Sequence, residues 1–182
     1  TPESKLSSAT SAVANVNDPV TGAVTISGEL RSGQMLSASN TLADLDGLGT
    51  VTYQWKADGT NISGATNSTY VLTEGEVGKV ITVLASYTDG HGTPESKLSG
   101  ATGVVANVND APVGLVTISG AATQGQTLTA SNTLADLDGL GTISYQWKAD
   151  GTNISGATGT TYVLTESEVG KVITVVASYT DG

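Results

Sequence analysis

Residues 1–90 and 93–182 align without a gap, and 71 of those 90 positions hold the same amino acid. The block Thr1-Pro2-Glu3-Ser4-Lys5 returns at Thr93, Asn15-Val16-Asn17-Asp18 returns at Asn107, and the fourteen residues from Tyr53 to Thr66 return unchanged at Tyr145. More than half of the differences fall between Pro19 and Ser37. A period of 92 residues is too long for a solenoid unit, which buries its apolar face only against its neighbours. It suits a small self-contained domain, so each copy should fold alone.

Inside one copy the apolar residues recur every second position, and no stretch carries a sustained helical stripe. Val51, Tyr53, Trp55 and Ala57 alternate with Thr52, Gln54 and Lys56, which predicts a strand with one buried face, turned by Ala57-Asp58-Gly59-Thr60. Further strands are predicted at 23–27, 35–40, 69–72 and 80–87, the last with Ile81, Val83, Ala85 and Tyr87 inward. Thr73-Glu74-Gly75-Glu76 has the spacing of a capping box, which predicts one helical turn with Glu76 as its cap. With no Phe and no Cys, the core must come from Val, Ile, Leu and Ala around a few Trp and Tyr, with no disulfide to assist. Six or seven strands in 92 residues predict an all-β fold, a β-sandwich in each copy.

The string Tyr-Gln-Trp-x-x-Asp-Gly, Ile-Ser-Gly-Ala-Thr, Tyr-x-Leu-Thr and Glu-Val-Gly-Lys, present in both copies, resembles the immunoglobulin-like tandem repeats in the extender region of giant repeats-in-toxin adhesins. The resemblance covers nearly the whole 92-residue unit. It implies tandem immunoglobulin-like sandwiches joined end to end. It also implies a boundary after Asn-Val-Asn-Asp, so that residues 1–18 are the last strand and linker of a preceding repeat. Residues 19–110 are then one repeat, and 111–182 a repeat lacking its last strand. Residues 1–14 cannot close the sandwich that follows them. Its poles lie about 25–30 Å apart for strands of eight residues, whereas the four residues of Asn15–Asp18 reach only about 14 Å. The expectation is strand addition between molecules, residues 1–14 of one chain completing the open edge of another.

The ten residues Thr41–Thr50 recur unchanged at Thr133–Thr142 and contain Asp-x-Asp-Gly. Taken alone, that motif suits a tight turn, half of a cation site or a pair of acid/base carboxylates. The immunoglobulin-like topology implies that this loop, the loop before the last strand and the incoming linker meet at one pole. For the first copy that pole gathers Asn17, Asp18, Asp44, Asp46 and Asp89. For the second it gathers Asn109, Asp110, Asp136, Asp138 and Asp181. Clustered carboxylates repel one another by about 4 kcal/mol per pair at 4 Å and an effective dielectric of 20, and an all-oxygen donor set favours calcium. The linker is similar to the calcium-binding inter-domain linker of cadherins, with Asn15 and Asn107 in place of its first Asp. That similarity implies Asp18 and Asp110 as side-chain ligands and Asn17 and Asn109 as neutral ones. The same loops also suit plain solvated turns.

Seventeen acidic against seven basic side chains give a net charge of −10, which disfavours nucleic acid and anionic lipid. No apolar run is long enough for membrane insertion. Trp55 and Trp147 sit on the buried phase of their strands, and His91 stands between glycines in a loop. No nucleophilic triad, phosphate loop or dinucleotide fingerprint is present, and Asp44 and Asp46 lie in a Gly-rich loop with no apolar pocket to raise one pKa, so no enzymatic activity is expected. The resemblance implies a spacer of an extracellular, cell-surface adhesin secreted by a Gram-negative bacterium, active in cell adhesion and biofilm. Neighbouring repeats of the same chain would be its partners, and calcium would stiffen the junctions. The alternatives are a module binding a ligand such as polysaccharide, or a subunit of a cell-surface array.

Overall fold

The computed structural model describes residues 1–181. The fold is all-β, and the only helical elements among the described residues are two single 3₁₀ turns. None is long or apolar enough to cross a membrane. The chain divides into two compact units, Thr1–Ala106 and the residues from Asn107 onward. The division falls four residues before the expected boundary. It assigns Asn107–Asp110 to the second unit, where the Asp110 N–H is bonded to Asp138.

In the first unit, β1 (Val24–Ser27), β2 (Met35–Asn40) and β5 (Thr69–Val71) form one antiparallel sheet in the order β1-β2-β5. Strands β3 (Thr52–Ala57), β4 (Thr60–Asn61), β6 (Ile81–Thr88) and β7 (Pro94–Leu98) form the second, in the order β4-β3-β6-β7. The period-two pattern sets the inner faces. Trp55, Leu36, Ile81, Val83 and Ala85 are fully buried in one core cluster with Leu72, Tyr87 and Val105, each large side chain contributing about 1.5–3 kcal/mol of transfer free energy. The Trp55 indole N–H donates to the Asn67 carbonyl at 2.9 Å, so its one polar atom is satisfied inside. Asp58 and Gly59 both take positive φ, 46° and 78°, as a two-residue hairpin turn between β3 and β4 requires. Asp58 also accepts the Val80 N–H at 3.0 Å. Thr73 and Glu76 close a reciprocal capping box around the turn Glu74–Glu76.

The chain after β7 continues along the same edge without regular strand structure. It is attached by isolated bridges, Val80 to Val104 and Arg31 to Ala106, and by hydrogen bonds of Ser99 with Val83 and of Thr102 with Ile81. Residues 1–14 carry no strand, and every one of them is exposed.

The second unit repeats the plan with β8 (Val116–Ser119), β9 (Thr127–Asn132), β10 (Ser144–Ala149), β11 (Thr152–Asn153), β12 (Thr161–Val163) and β13 (Ile173–Ser178). The sheets are β8-β9-β12 and β11-β10-β13. Trp147 is again fully buried, and its indole N–H donates to the Gly159 carbonyl. Among the described residues β13 pairs only with β10.

Candidate functional site

In the first unit the Asp-x-Asp-Gly loop is the point where three chain segments converge. Asp44 uses both carboxylate oxygens: Oδ1 accepts the Asp46 N–H at 2.9 Å and Oδ2 accepts the Tyr87 hydroxyl at 2.5 Å. Asp46 Oδ2 accepts the backbone N–H of Asp18 at 2.6 Å, which docks the incoming segment on the loop. The Asp46 carbonyl accepts the Gly90 N–H at 3.0 Å, which docks the loop after β6. Glycine is required where these backbones meet. A Cβ on Gly49 would stand 2.1 Å from the Thr88 carbonyl oxygen, and one on Gly90 would stand 2.5 Å from that of Asp46.

Asp89 lies beneath this junction and is only 6% exposed. Its Oδ1 accepts backbone N–H groups from Thr93 at 2.7 Å and His91 at 2.9 Å. Those bonds, that of Thr93 foremost, hold its carboxyl below the usual range. Its other oxygen, Oδ2, is buried and has no donor. Burial and the Asp44 bond push the Tyr87 phenol well above its ordinary value.

The second unit builds the same junction again. Asp136 accepts the Asp138 N–H at 3.1 Å and the Tyr179 hydroxyl. Asp138 Oδ2 accepts the Asp110 N–H at 2.5 Å. The Asp136 bond, aided by burial, pushes the Tyr179 phenol up to about 12. A shallow cavity of about 430 Å³ is lined by Asn109, Asp110, Asp136, Tyr179 and Asp181. Asp138 Oδ1 is buried and without a donor. In the first unit the same oxygen of Asp46 faces the His91 imidazole, with Nε2 at 3.9 Å. His91, expected as a plain loop residue, therefore lies at the acidic pole.

Asp18, Asp44 and Asp46 are thus brought together with the backbone of the Asp89 loop, as are Asp110, Asp136 and Asp138 in the second unit. Asn17 turns aside: its amide donates to Glu95 at 2.9 Å, while the Asn109 amide donates to the Asp110 carbonyl at 3.0 Å. Glu95, Tyr87 and Tyr179 are members of the pole that the sequence did not single out. Tyr87 lies on the apolar phase of β6 and Tyr179 follows β13 directly, and only the partner 43 residues upstream reveals the polar use of each hydroxyl.

The donor set fits a hard cation. A calcium ion takes oxygen ligands at about 2.3–2.6 Å, and Asp110 and Asp138 present carboxylate oxygens within 4.8 Å of each other. The buried oxygens of Asp89 and Asp138 without donors are the kind of group that a cation satisfies and water-free protein does not. No family model matches the chain, and no curated protein matches it. What the chain does must be read from its own geometry.

Proposed function

We propose that the two units are structural extender modules of a secreted bacterial cell-surface adhesin, stiffened by calcium at their acidic poles. The observation that carries this reading is the docked incoming segment. In both units the Asp at the end of Asn-Val-Asn-Asp gives its N–H to the second Asp of the loop, at 2.6 Å for Asp18 and 2.5 Å for Asp110. A spacer that transmits force needs the chain entering each domain to be fixed to that domain. These bonds fix it, and they bring negative charge together at the same point. Calcium would be held in the second unit by Asp110 and Asp138, whose carboxylate oxygens lie within 4.8 Å of each other, and in the first by their counterparts Asp18 and Asp46, where no three acidic groups among the described residues lie that close. It would supply charge neutralisation and tie the incoming segment more firmly. At ten times its dissociation constant, calcium adds about 1.4 kcal/mol per site.

The fully buried tryptophans offer no stacking platform to a sugar ring, which favours a spacer over a polysaccharide-binding module. The reading is tested by calorimetric calcium titration of the whole chain and of Asp46→Asn and Asp138→Asn variants. Two classes of site are expected, each variant abolishing one. Heat changes that are absent, or unaltered by the variants, would dismiss it.

A further inference from the structure

We propose that Asn67 is a modification site, the acceptor of an N-linked sugar. The loop that leads into β5 carries Asn67-Ser68-Thr69, an Asn-x-Thr triplet of the kind that asparagine-directed glycosyltransferases read. The second unit has Gly159-Thr160-Thr161 at the same place, so the triplet belongs to the first unit alone. The backbone of this loop is fixed. The Asn67 carbonyl accepts the Trp55 indole N–H at 2.9 Å, and the Ser68 carbonyl accepts the Ala38 N–H at 2.7 Å. The side chains are not tied down: Asn67, Ser68 and Thr69 are all exposed, and neither the Asn67 amide nor the Thr69 hydroxyl has a hydrogen-bond partner among the described residues. Both residues line one groove of about 430 Å³, together with Ser63, Gly64 and Tyr70. Tyr70 packs on Trp55 with ring centroids 6.0 Å apart, which gives that groove a rigid aromatic wall.

Two further triplets in the chain, Asn61-Ile62-Ser63 and Asn153-Ile154-Ser155, are placed differently. Their middle residues pack against the cores of their units, and Ile62 and Ile154 give their N–H groups to the Trp55 and Trp147 carbonyls at 2.9 Å. Asn61 and Asn153 belong to β4 and β11, opposite Lys56 and Lys148. The Lys56 ammonium also donates to Asn61 Oδ1 at 2.7 Å. An enzyme that seats a whole triplet would have to draw an isoleucine out of the core at these two places. At Asn67 the middle residue is an exposed serine.

The step is a substitution at the anomeric carbon of a hexose activated as a sugar nucleotide. Asn67 Nδ2 forms a bond to C1, and the bond from C1 to the phosphate oxygen breaks, its electron pair leaving with the nucleoside diphosphate. The amide proton passes to a base of the transferase, which reads the Thr69 hydroxyl two residues on. The place of the sugar gives it a use. Strand β5 is the last of its sheet, and among the described residues it pairs only with β2. A bare strand edge invites pairing with another chain, and a bulky, hydrated group at its entrance blocks that approach. None of this depends on calcium.

The test is labelling of the folded whole chain by a soluble, sequon-directed N-glycosyltransferase with UDP-glucose, read by peptide mass spectrometry, together with peptide mapping of the protein taken from the cells that make it. A hexose on Asn67 is expected in both. Compared with short peptides of the same triplets, Asn67 in the folded chain should keep its rate of labelling. Asn61 and Asn153 should lose about tenfold, because the Ile62 and Ile154 hydrogen bonds must open first. Thr69→Ala should abolish labelling at Asn67 and Thr69→Ser should retain it, with the melting temperature unchanged in both because Thr69 is exposed. Asn67 found bare in the native protein overturns the proposal. So does a folded chain in which Asn67 loses as much rate as Asn61 and Asn153, or in which Thr69→Ala is labelled like the parent.

Discussion

The two units share most of their residues and differ in how deeply those residues are buried. Ile81, Val83 and Ala85 are completely buried, whereas the identical Ile173, Val175 and Ala177 are only half-buried. Nothing in the strands explains this. The difference is the segment Thr93–Ala106, which lies on the outer side of β6 and places Val105 in the core. Burial here belongs to the pair of elements, and the core of the second unit is correspondingly smaller.

The comparison makes the second unit the weaker one, so two melting transitions are expected by calorimetry, the lower abolished by Trp147→Ala and the upper by Trp55→Ala. Each substitution empties a fully buried indole site, a loss of about 3–5 kcal/mol. A single transition that responds equally to both would break the comparison. Val105→Ala should cost about 2 kcal/mol in the first unit and bring its transition toward that of the second. In hydrogen exchange, the amides of β6 should then approach the faster exchange of β13.

A smaller effect separates the poles at acid pH. The folded carboxyl of Asp89 titrates below its ordinary value, so its contribution is complete above the unfolded pKa of about 3.9 and is lost as pH falls through the folded one. The first unit should lose melting temperature by a few degrees in that window, and Asp89→Asn should flatten the loss. The smallest effect lies at the alkaline end. With the Tyr179 phenol pushed up to about 12, its contribution is present below the unfolded value of about 10 and lost as pH rises through the folded one. Tyr179→Phe should remove one late-titrating phenol from the ultraviolet titration.

Local features were legible in the sequence because their causes are local. The alternation around Trp55, the Asp58-Gly59 turn and the Thr73–Glu76 capping box all lie within a few residues of the groups that dictate them. The two Asp-x-Asp-Gly loops were legible as acidic turns. The hydroxyl bonds from Tyr87 and Tyr179 were not, because each joins residues 43 positions apart. Nor was the short reach of β7, which stops at Leu98 where Ser99 and Thr102 begin to bond the edge through their side chains. The turning of Asn17 toward Glu95 also depends on packing between distant segments.

Calcium titration of the whole chain, followed by small-angle scattering at each step and repeated with Asp46→Asn and Asp138→Asn together, tests the spacer reading most directly. The account predicts that calcium raises both melting transitions and narrows the distribution of end-to-end lengths, and that the double variant responds to neither. Melting transitions and scattering curves that are the same in calcium and in chelator would contradict it.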